Sequence, residues 1–152
     1  MGRELARCLA ERGDRVFLLG RNPEDLEKTA KDLEIRGATD GVETALCDLR
    51  RPESFAPALY QANAALDDFD TVIVTAGIMG GDQESLEDDA EACADLLSVN
   101  FANTILFCEE ARRHLLGRGG GNLVVFSSVA GDRGRKPIIL YGAAKAGLSS
   151  YM

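Results

Sequence analysis

The sequence predicts an α/β fold built on a doubly wound parallel sheet, and three observations carry that reading. Helix-period and strand-period segments alternate four times along the chain. The strand candidates are short runs of consecutive apolar residues, as expected where helices cover both faces of a sheet. Gly and Pro are spread throughout as turn punctuation, with no internal repeat or low-complexity tract, so one domain over residues 1–152 is expected.

From Gly2 to Arg12, Leu5, Ala6, Leu9 and Ala10 share one face and Arg3, Glu4, Arg7 and Glu11 the other. This is an amphipathic helix stopped at Gly13. Arg15-Val16-Phe17-Leu18-Leu19-Gly20 is an apolar run of strand length. Asn22-Pro23 caps a second helix, with Leu26, Ala30 and Leu33 at helical spacing. A weaker strand covers 42–47, Pro52 opens a third helix to about Leu66, and Thr71-Val72-Ile73-Val74 is a β-branched strand. A long helical region runs from about Leu86 to Leu116. After the Gly119-Gly120-Gly121 turn, Leu123-Val124-Val125-Phe126 forms another strand. A loop with Gly131, Gly134 and Pro137 then leads to a last helix starting near Tyr141.

Composition narrows the function classes. With 45% hydrophobic and 28% charged residues, the 152-residue chain has the make-up of a water-soluble domain. No apolar run reaches membrane-span length and no charged-then-apolar leader opens the chain, so neither membrane insertion nor secretion is expected. A net charge of -8 argues against non-specific nucleic-acid binding, which needs clustered Lys and Arg. Cys8, Cys47, Cys93 and Cys108 form no CxxC pair, and with the single His114 they make no convincing metal set. They read as reduced, mostly buried thiols of a cytoplasmic protein, with Cys93 and Cys108 as packing residues. His114, among arginines late in a helix, is expected to compensate charge at the surface.

In a doubly wound sheet, ligands bind at the carboxyl ends of the strands. Ser128 ends one strand, Tyr141 starts the next helix, and Lys145 lies one turn further on the same helix face. A lysine ammonium beside a tyrosine favours the phenolate and brings its proton within range of exchange near neutrality. A Tyr with a Lys four residues later is common on its own. Their position at a strand end is what selects this trio.

Taken together, these motifs resemble the short-chain dehydrogenase/reductase family over essentially the whole chain. Ser128 and Tyr141-Gly142-Ala143-Ala144-Lys145 match its Ser and YxxxK motif, at an interval that favours Ser128 over adjacent Ser127. Asn100, within Ser98-Val99-Asn100-Phe101, matches the Asn that completes the family's tetrad. Val74-Thr75-Ala76-Gly77 stands where the family has Asn-Asn-Ala-Gly, and Cys47-Asp48-Leu49 where an Asp contacts the adenine. Gly2-Arg3-Glu4-Leu5-Ala6 resembles the tail of its glycine-rich loop. Taken alone, Asn100 reads as a helix-kinking residue bonded to backbone and Asp48 as a helix cap or turn residue. Thr75-Ala76-Gly77 alone reads as an ordinary strand exit.

The resemblance implies a Rossmann-like NAD(P)-binding domain and hydride transfer between a nicotinamide and the carbonyl or secondary alcohol of a small molecule. Tyr141 would exchange the proton, Lys145 would lower the Tyr pKa and bond the nicotinamide ribose, Ser128 would polarise the substrate oxygen, and Asn100 would hold a relay water. Gly2, Arg21, Asp48, Leu49, Thr75, Ala76 and Gly77, with Tyr141 and Lys145, would bind the cofactor. Gly20 and Arg21 stand where an acid would repel a 2′-phosphate, so NADP(H) is favoured over NAD(H). Otherwise Arg21 merely pairs with Glu24 or Asp25. A homo-oligomer through the long helix and the Tyr/Lys helix is also implied.

Three departures from the family pattern stand out. Met1-Gly2 aligns with the end of the glycine-rich loop, so the family's first strand and first two glycines are expected to be missing. So are the strands and substrate loop that would follow Met152, and Val74 and Thr75 replace two asparagines. In a sheet of order 3-2-1-4-5 the missing strand is the central one. Four parallel strands are expected at 15–20, 42–47, 70–75 and 122–128, the first two paired and the last two paired. The inner edges would close on each other, leave a gap, or take another chain. A non-catalytic interaction module and an extended-type epimerase or dehydratase are the alternatives. The Ser128 spacing, the Thr75-Ala76-Gly77 exit and the lack of an acid at Gly20 favour the reductase over the latter.

Overall fold

The computed structural model describes residues 1–38 and 41–152. Helix α1 (Gly2–Arg12) buries Ala6 and Ala10 and stops where Gly13 adopts φ 92° and donates its amide to the Ala10 carbonyl. Strand β1 (Leu18–Gly20) leads into α2 (Pro23–Ile35), whose first turn is closed by Asn22 Oδ1 accepting from the Asp25 amide. Strand β2 (Thr44–Leu46), a 3-10 turn at Pro52–Ser54, α3 (Phe55–Leu66) and β3 (Thr71–Val74) follow. Then come α4 (Gln83–Asp88), α5 (Ala90–Leu97), a π turn at Ser98–Ala102 and α6 (Asn103–Gly117). The chain continues through β4 (Asn122–Val125), the one-turn α7 (Val129–Asp132), a 3-10 turn at Lys136–Ile138 and α8 (Ile139–Tyr151).

The long helix expected from about Leu86 to Leu116 is therefore divided. Asp89 is extended at φ -122°, and its Oδ1 accepts from the Glu91 and Ala92 amides, which restarts the helix as α5. The loop expected before Tyr141 holds a helical turn, α7, and the last helix begins at Ile139.

Strands β1 and β2 pair in parallel from Leu18↔Thr44 to Gly20↔Leu46, and β3 pairs with β4 from Thr71↔Asn122 to Val74↔Val125. The pairing is the expected one, but the strands are shorter. Among the described residues strand β1 has a partner on one edge only, and before it Arg15 turns its guanidinium to the carbonyls of Ala65 and Leu66 at the end of α3. The facing edges of β1 and β3 do not pair, and a cleft of about 910 Å³ lies between them. Of the three arrangements expected for the inner edges, the gap is the one found within this chain.

Side chains alternate across the first pair. Val16 and Leu18 pack on a core of Ala6, Ala10, Ala30, Leu33 and Val42 between α1 and α2. Phe17 and Leu19 pack on the opposite core, where α3 and α6 supply Phe55, Leu59, Phe107 and Leu115. Helices thus lie on both faces, as a doubly wound sheet requires. The second pair is covered differently: Val72, Val74, Leu123 and Val125 meet the larger core, whereas Val124 on the other face is 43% exposed. No helix among the described residues is long and apolar enough to cross a membrane.

Candidate active site

A π turn admits one extra residue into a helix and redirects the side chains it carries. In the turn at Ser98–Ala102 the Asn100 side chain is fully buried. Its Oδ1 accepts from the Ile78 amide at 2.9 Å, and its Nδ2 donates to the Ile78 carbonyl at 2.7 Å. Asn100 therefore clamps the loop leaving β3, the loop that carries Thr75, Ala76 and Gly77. Buried Thr104 donates to the Val99 carbonyl at 2.7 Å and satisfies an acceptor within the irregular turn.

Gly77 brings that loop onto Lys145. A Cβ at this position would lie 2.9 Å from Asn100 Oδ1 and 3.6 Å from Lys145 Nζ, so the close approach requires glycine. Lys145 is 4% exposed, and its Nζ donates to the Phe126 carbonyl at 3.0 Å. Burial draws its pKa below the ordinary lysine value. The Nζ lies 5.9 Å from the centre of the Tyr141 ring, one turn earlier on α8.

Two glycines set α7 directly against α8. A Cβ at Gly131 would lie 2.7 Å from the Ala146 nitrogen, and one at Gly142 would lie 2.7 Å from the Ala130 carbonyl oxygen. Ser128 caps α7, its Oγ accepting from the Ala130 amide at 3.2 Å, which leaves its hydroxyl proton without a partner among the described residues. Ser127 instead donates to the Lys145 carbonyl at 3.0 Å and shares a 2.6 Å hydrogen bond with Ser149. The adjacent serines thus differ: one fastens the end of β4 to α8, and the other keeps a proton to donate.

Gly2, Arg21, Asp48, Leu49, Thr75, Ala76 and Gly77 all line the cleft between β1 and β3. Asn100, Ser128, Tyr141 and Lys145 lie outside that lining, and Gly77 joins the cleft to Asn100 and Lys145. The first turn of α1 meets the end of β3 closely, since a Cβ at Gly2 would lie 2.6 Å from Thr75 Oγ1. Arg21 has no carboxylate partner among the described residues, because Asp25 pairs with Arg3 at 2.8 Å and Glu24 with Lys28 at 3.9 Å. Asp48 forms a turn, its Oδ1 accepting from the Arg50 amide at 3.0 Å. Cys47 also lines the cleft, and burial pushes its thiol up to about 11, so it stays protonated at neutral pH.

Two fasteners of this cleft are not among the sequence candidates. Arg50 forks onto Asp95 at 2.8 and 2.7 Å, and Asn103 Nδ2 donates to the Leu49 carbonyl at 2.6 Å. Together they tie the loop after β2 to α5 and α6. Asn103 follows Asn100 by less than one helical turn, a weak signal, whereas the arginine and its aspartate are too far apart in sequence to give one. His114 is partly buried, stacked on Phe69 with ring centres 4.3 Å apart, and its Nε2 lies 2.7 Å from Asn63 Oδ1 and 3.4 Å from Asp68 Oδ1. Of the thiols expected to be mostly buried, Cys108 is buried and Cys47 and Cys93 partly so, whereas Cys8 on the outer face of α1 is exposed.

Residues 1–152 match the short chain dehydrogenase family. Carbonyl reductase family member 4 of Danio rerio is 31% identical over 151 residues, covering 99% of this chain and 61% of that protein. An uncharacterized oxidoreductase of Streptomyces coelicolor is 36% identical over 155 residues, covering 99% of this chain and 59% of its own. Among solved structures, a variant of actinorhodin polyketide ketoreductase with NADPH superposes with a TM-score of 0.89 at 25% identity, covering 99% of this chain and 57% of that one. A short chain dehydrogenase from Salmonella enterica serovar Typhi gives 0.87 at 28% identity, covering 99% and 63%. The chain spans about three fifths of the length of the curated relatives it matches.

Proposed function

The chain belongs to the short-chain dehydrogenase family, and from that premise we propose that it forms the dinucleotide-binding and proton-transfer domain of an NAD(P)(H)-dependent oxidoreductase. The substrate is a small carbonyl compound or secondary alcohol. The observation that carries the reading is the convergence of Asn100, Gly77 and Lys145, which joins the cleft to a buried ammonium beside Tyr141.

The residues present fit a dinucleotide. Gly2 at the N-terminus of α1 and Arg21, which has no carboxylate partner among the described residues, line the cleft and would take a pyrophosphate and a 2′-phosphate, and Gly77 carries the cleft wall to Lys145. When bound, that cofactor supplies the redox chemistry. Tyr141 gives its phenolic proton to the developing alkoxide, or takes it in the reverse direction. Lys145 stabilises the phenolate left behind, and Ser128 donates its free hydroxyl proton to the substrate oxygen. Asn100 acts one step back. Each of its amide atoms bonds Ile78 once, and the remaining N–H and lone pair are left to hold a relay water.

Fluorescence titration is expected to show NADPH binding about tenfold tighter than NADH, with the preference lost in Arg21→Gln. Equal binding of the two would overturn the NADP(H) preference. Tyr141→Phe is expected to keep NADPH binding and lose carbonyl reduction, and substantial residual reduction would overturn the role of the phenol. A second reading, an interaction module that binds no dinucleotide, is favoured by the unpaired facing edges of β1 and β3. Failure to bind either dinucleotide would support it. Exposed Leu106 and Leu116 on α6 fit a homo-oligomer through α6 and α8, testable by sedimentation. The four unpaired thiols fit a reducing cytoplasmic setting.

A further inference from the structure

No strand ladder joins the two walls of the cleft, since the facing edges of β1 and β3 do not pair among the described residues. Leu19, Cys47 and Leu49 from one side and Val72, Val74 and Val125 from the other pack on the same apolar core. Apolar packing holds the walls together without direction, whereas hydrogen bonds fix distance and orientation. Here the hydrogen bonds come from one stretch of chain, α5 through the π turn into α6.

Asp95 in α5 takes the Arg50 guanidinium on both carboxylate oxygens, and Asn103 at the start of α6 donates to the Leu49 carbonyl. Asn100, between them, accepts one hydrogen bond from Ile78 and donates one to it, in the loop after β3. The π turn allows this division. Asp95 and Asn103 are eight residues apart, and the extra residue in the turn brings the eighth to about the place of the seventh, two full turns along one face. The stretch therefore grips the loop after β2 with its two ends and the loop after β3 with its middle.

The grip on the loop after β2 decides where that loop sits, because its shape is made locally. Asp48 Oδ1 accepts from the Arg50 amide at 3.0 Å, the Asp48 carbonyl from the Arg51 amide at 2.8 Å, and Ser54 Oγ from the Asp48 amide at 3.2 Å. Nor is stability the main product. The Arg50 and Asp95 side chains are 38% and 35% exposed, and ion pairs in that setting contribute little. A two-pronged arginine–carboxylate contact does fix orientation. Asp48, Leu49 and Arg50 line the cleft, whereas Asp95 and Asn103 lie outside its lining and reach a ligand only through that loop.

We propose, on the oxidoreductase reading, that Asp95 and Asn103 are positioning residues that set the span of the cleft. They hold Asp48 and Leu49 at the distance from Gly77 that lets one dinucleotide reach both loops at once. A ligand with two ends gains from double engagement only when its two sites are correctly spaced, and either half alone is indifferent to the spacing.

Titrations with NADPH, adenosine 2′,5′-bisphosphate and reduced nicotinamide mononucleotide test the span. Asp95→Asn/Asn103→Ala is expected to weaken NADPH about tenfold while each half binds as it does to the unaltered protein. The charge exchange Arg50→Asp/Asp95→Arg is expected to restore most of what Asp95→Arg alone loses. An equal loss for NADPH and for either half would show a merely structural contact, and unchanged NADPH binding would show no contribution. Each result would overturn the positioning role. So would a larger loss in Arg50→Gln than in Asp95→Asn, which would put the guanidinium on the ligand itself. Failure of the unaltered protein to bind NADPH or either half would instead overturn the oxidoreductase reading, and the span with it.

Discussion

The two strand pairs are held by different means. One face of strands β1 and β2 rests on a small core rich in alanine, with Leu33 as its one large fully buried side chain, and on ion pairs such as Arg7–Asp32 and Arg36–Glu11 at the surface, while Leu19 on the other face reaches the larger core. Strands β3 and β4 rest on a larger core with Phe55 and Phe107 in edge-to-face contact, and beside it lie the buried polar groups Asn100, Thr104 and Lys145. Surface ion pairs contribute little, whereas aromatic burial and satisfied internal hydrogen bonds contribute much. The half that carries Asn100 and Lys145 is thus the consolidated one, and the half that offers Gly20 and Arg21 is more lightly held. The buried ammonium at Lys145 is held there by the Phe126 carbonyl just after β4, at 3.0 Å.

Breaking the larger core should have the greatest effect. Phe107→Ala is expected to cost about 3–5 kcal/mol in denaturant unfolding and to expose β3–β4 amides to hydrogen exchange. Leu33→Ala is expected to cost about 2–4 kcal/mol, with faster exchange confined to α1, α2, β1 and β2. Equal spread of the Leu33 effect over both pairs would erase the contrast between them. Asn100→Ala removes both partners of Ile78 and is expected to cost about 2 kcal/mol, with the Ile78 amide losing its protection.

The smallest effect concerns pH. Hydrogen bonds from Arg112 and from the Tyr151 hydroxyl hold the Glu109 carboxyl down to about 2. A carboxyl depressed below its unfolded value of about 4.3 adds stability that is present at neutral pH. That stability is lost as pH falls through about 2. Glu109→Gln is therefore expected to flatten this acid limb of the urea midpoint. An unchanged limb would show that the contact does not fasten the end of α8 to α6.

Much of the site is legible in sequence because strand ends and helix starts are local signals. The four strands, their pairing and the spacing of Tyr141 and Lys145 follow from periodicity and from the family resemblance. The divided long helix is not legible in the same way. The apolar pattern runs on through Ser98–Ala102, and the π turn is marked only by the demand of a buried Asn100 for partners on a loop across the fold. The first strand is shorter than its apolar run because Val16 and Phe17 pack on opposite faces ahead of the ladder, which starts at Leu18.

The chain by itself determined an α/β alternation, the acidic surface, and a serine, tyrosine and lysine placed after a strand. Those follow from hydrophobic period, turn residues and charge, which act over a few residues. Only the tertiary structure decided that Ser127 binds α8 while Ser128 caps α7, and that Arg50 locks to Asp95. Each of these depends on which distant groups come within hydrogen-bond reach. The same holds for the cleft beside β1, because an edge is unpaired only with respect to neighbours that the fold brings, or fails to bring, alongside it.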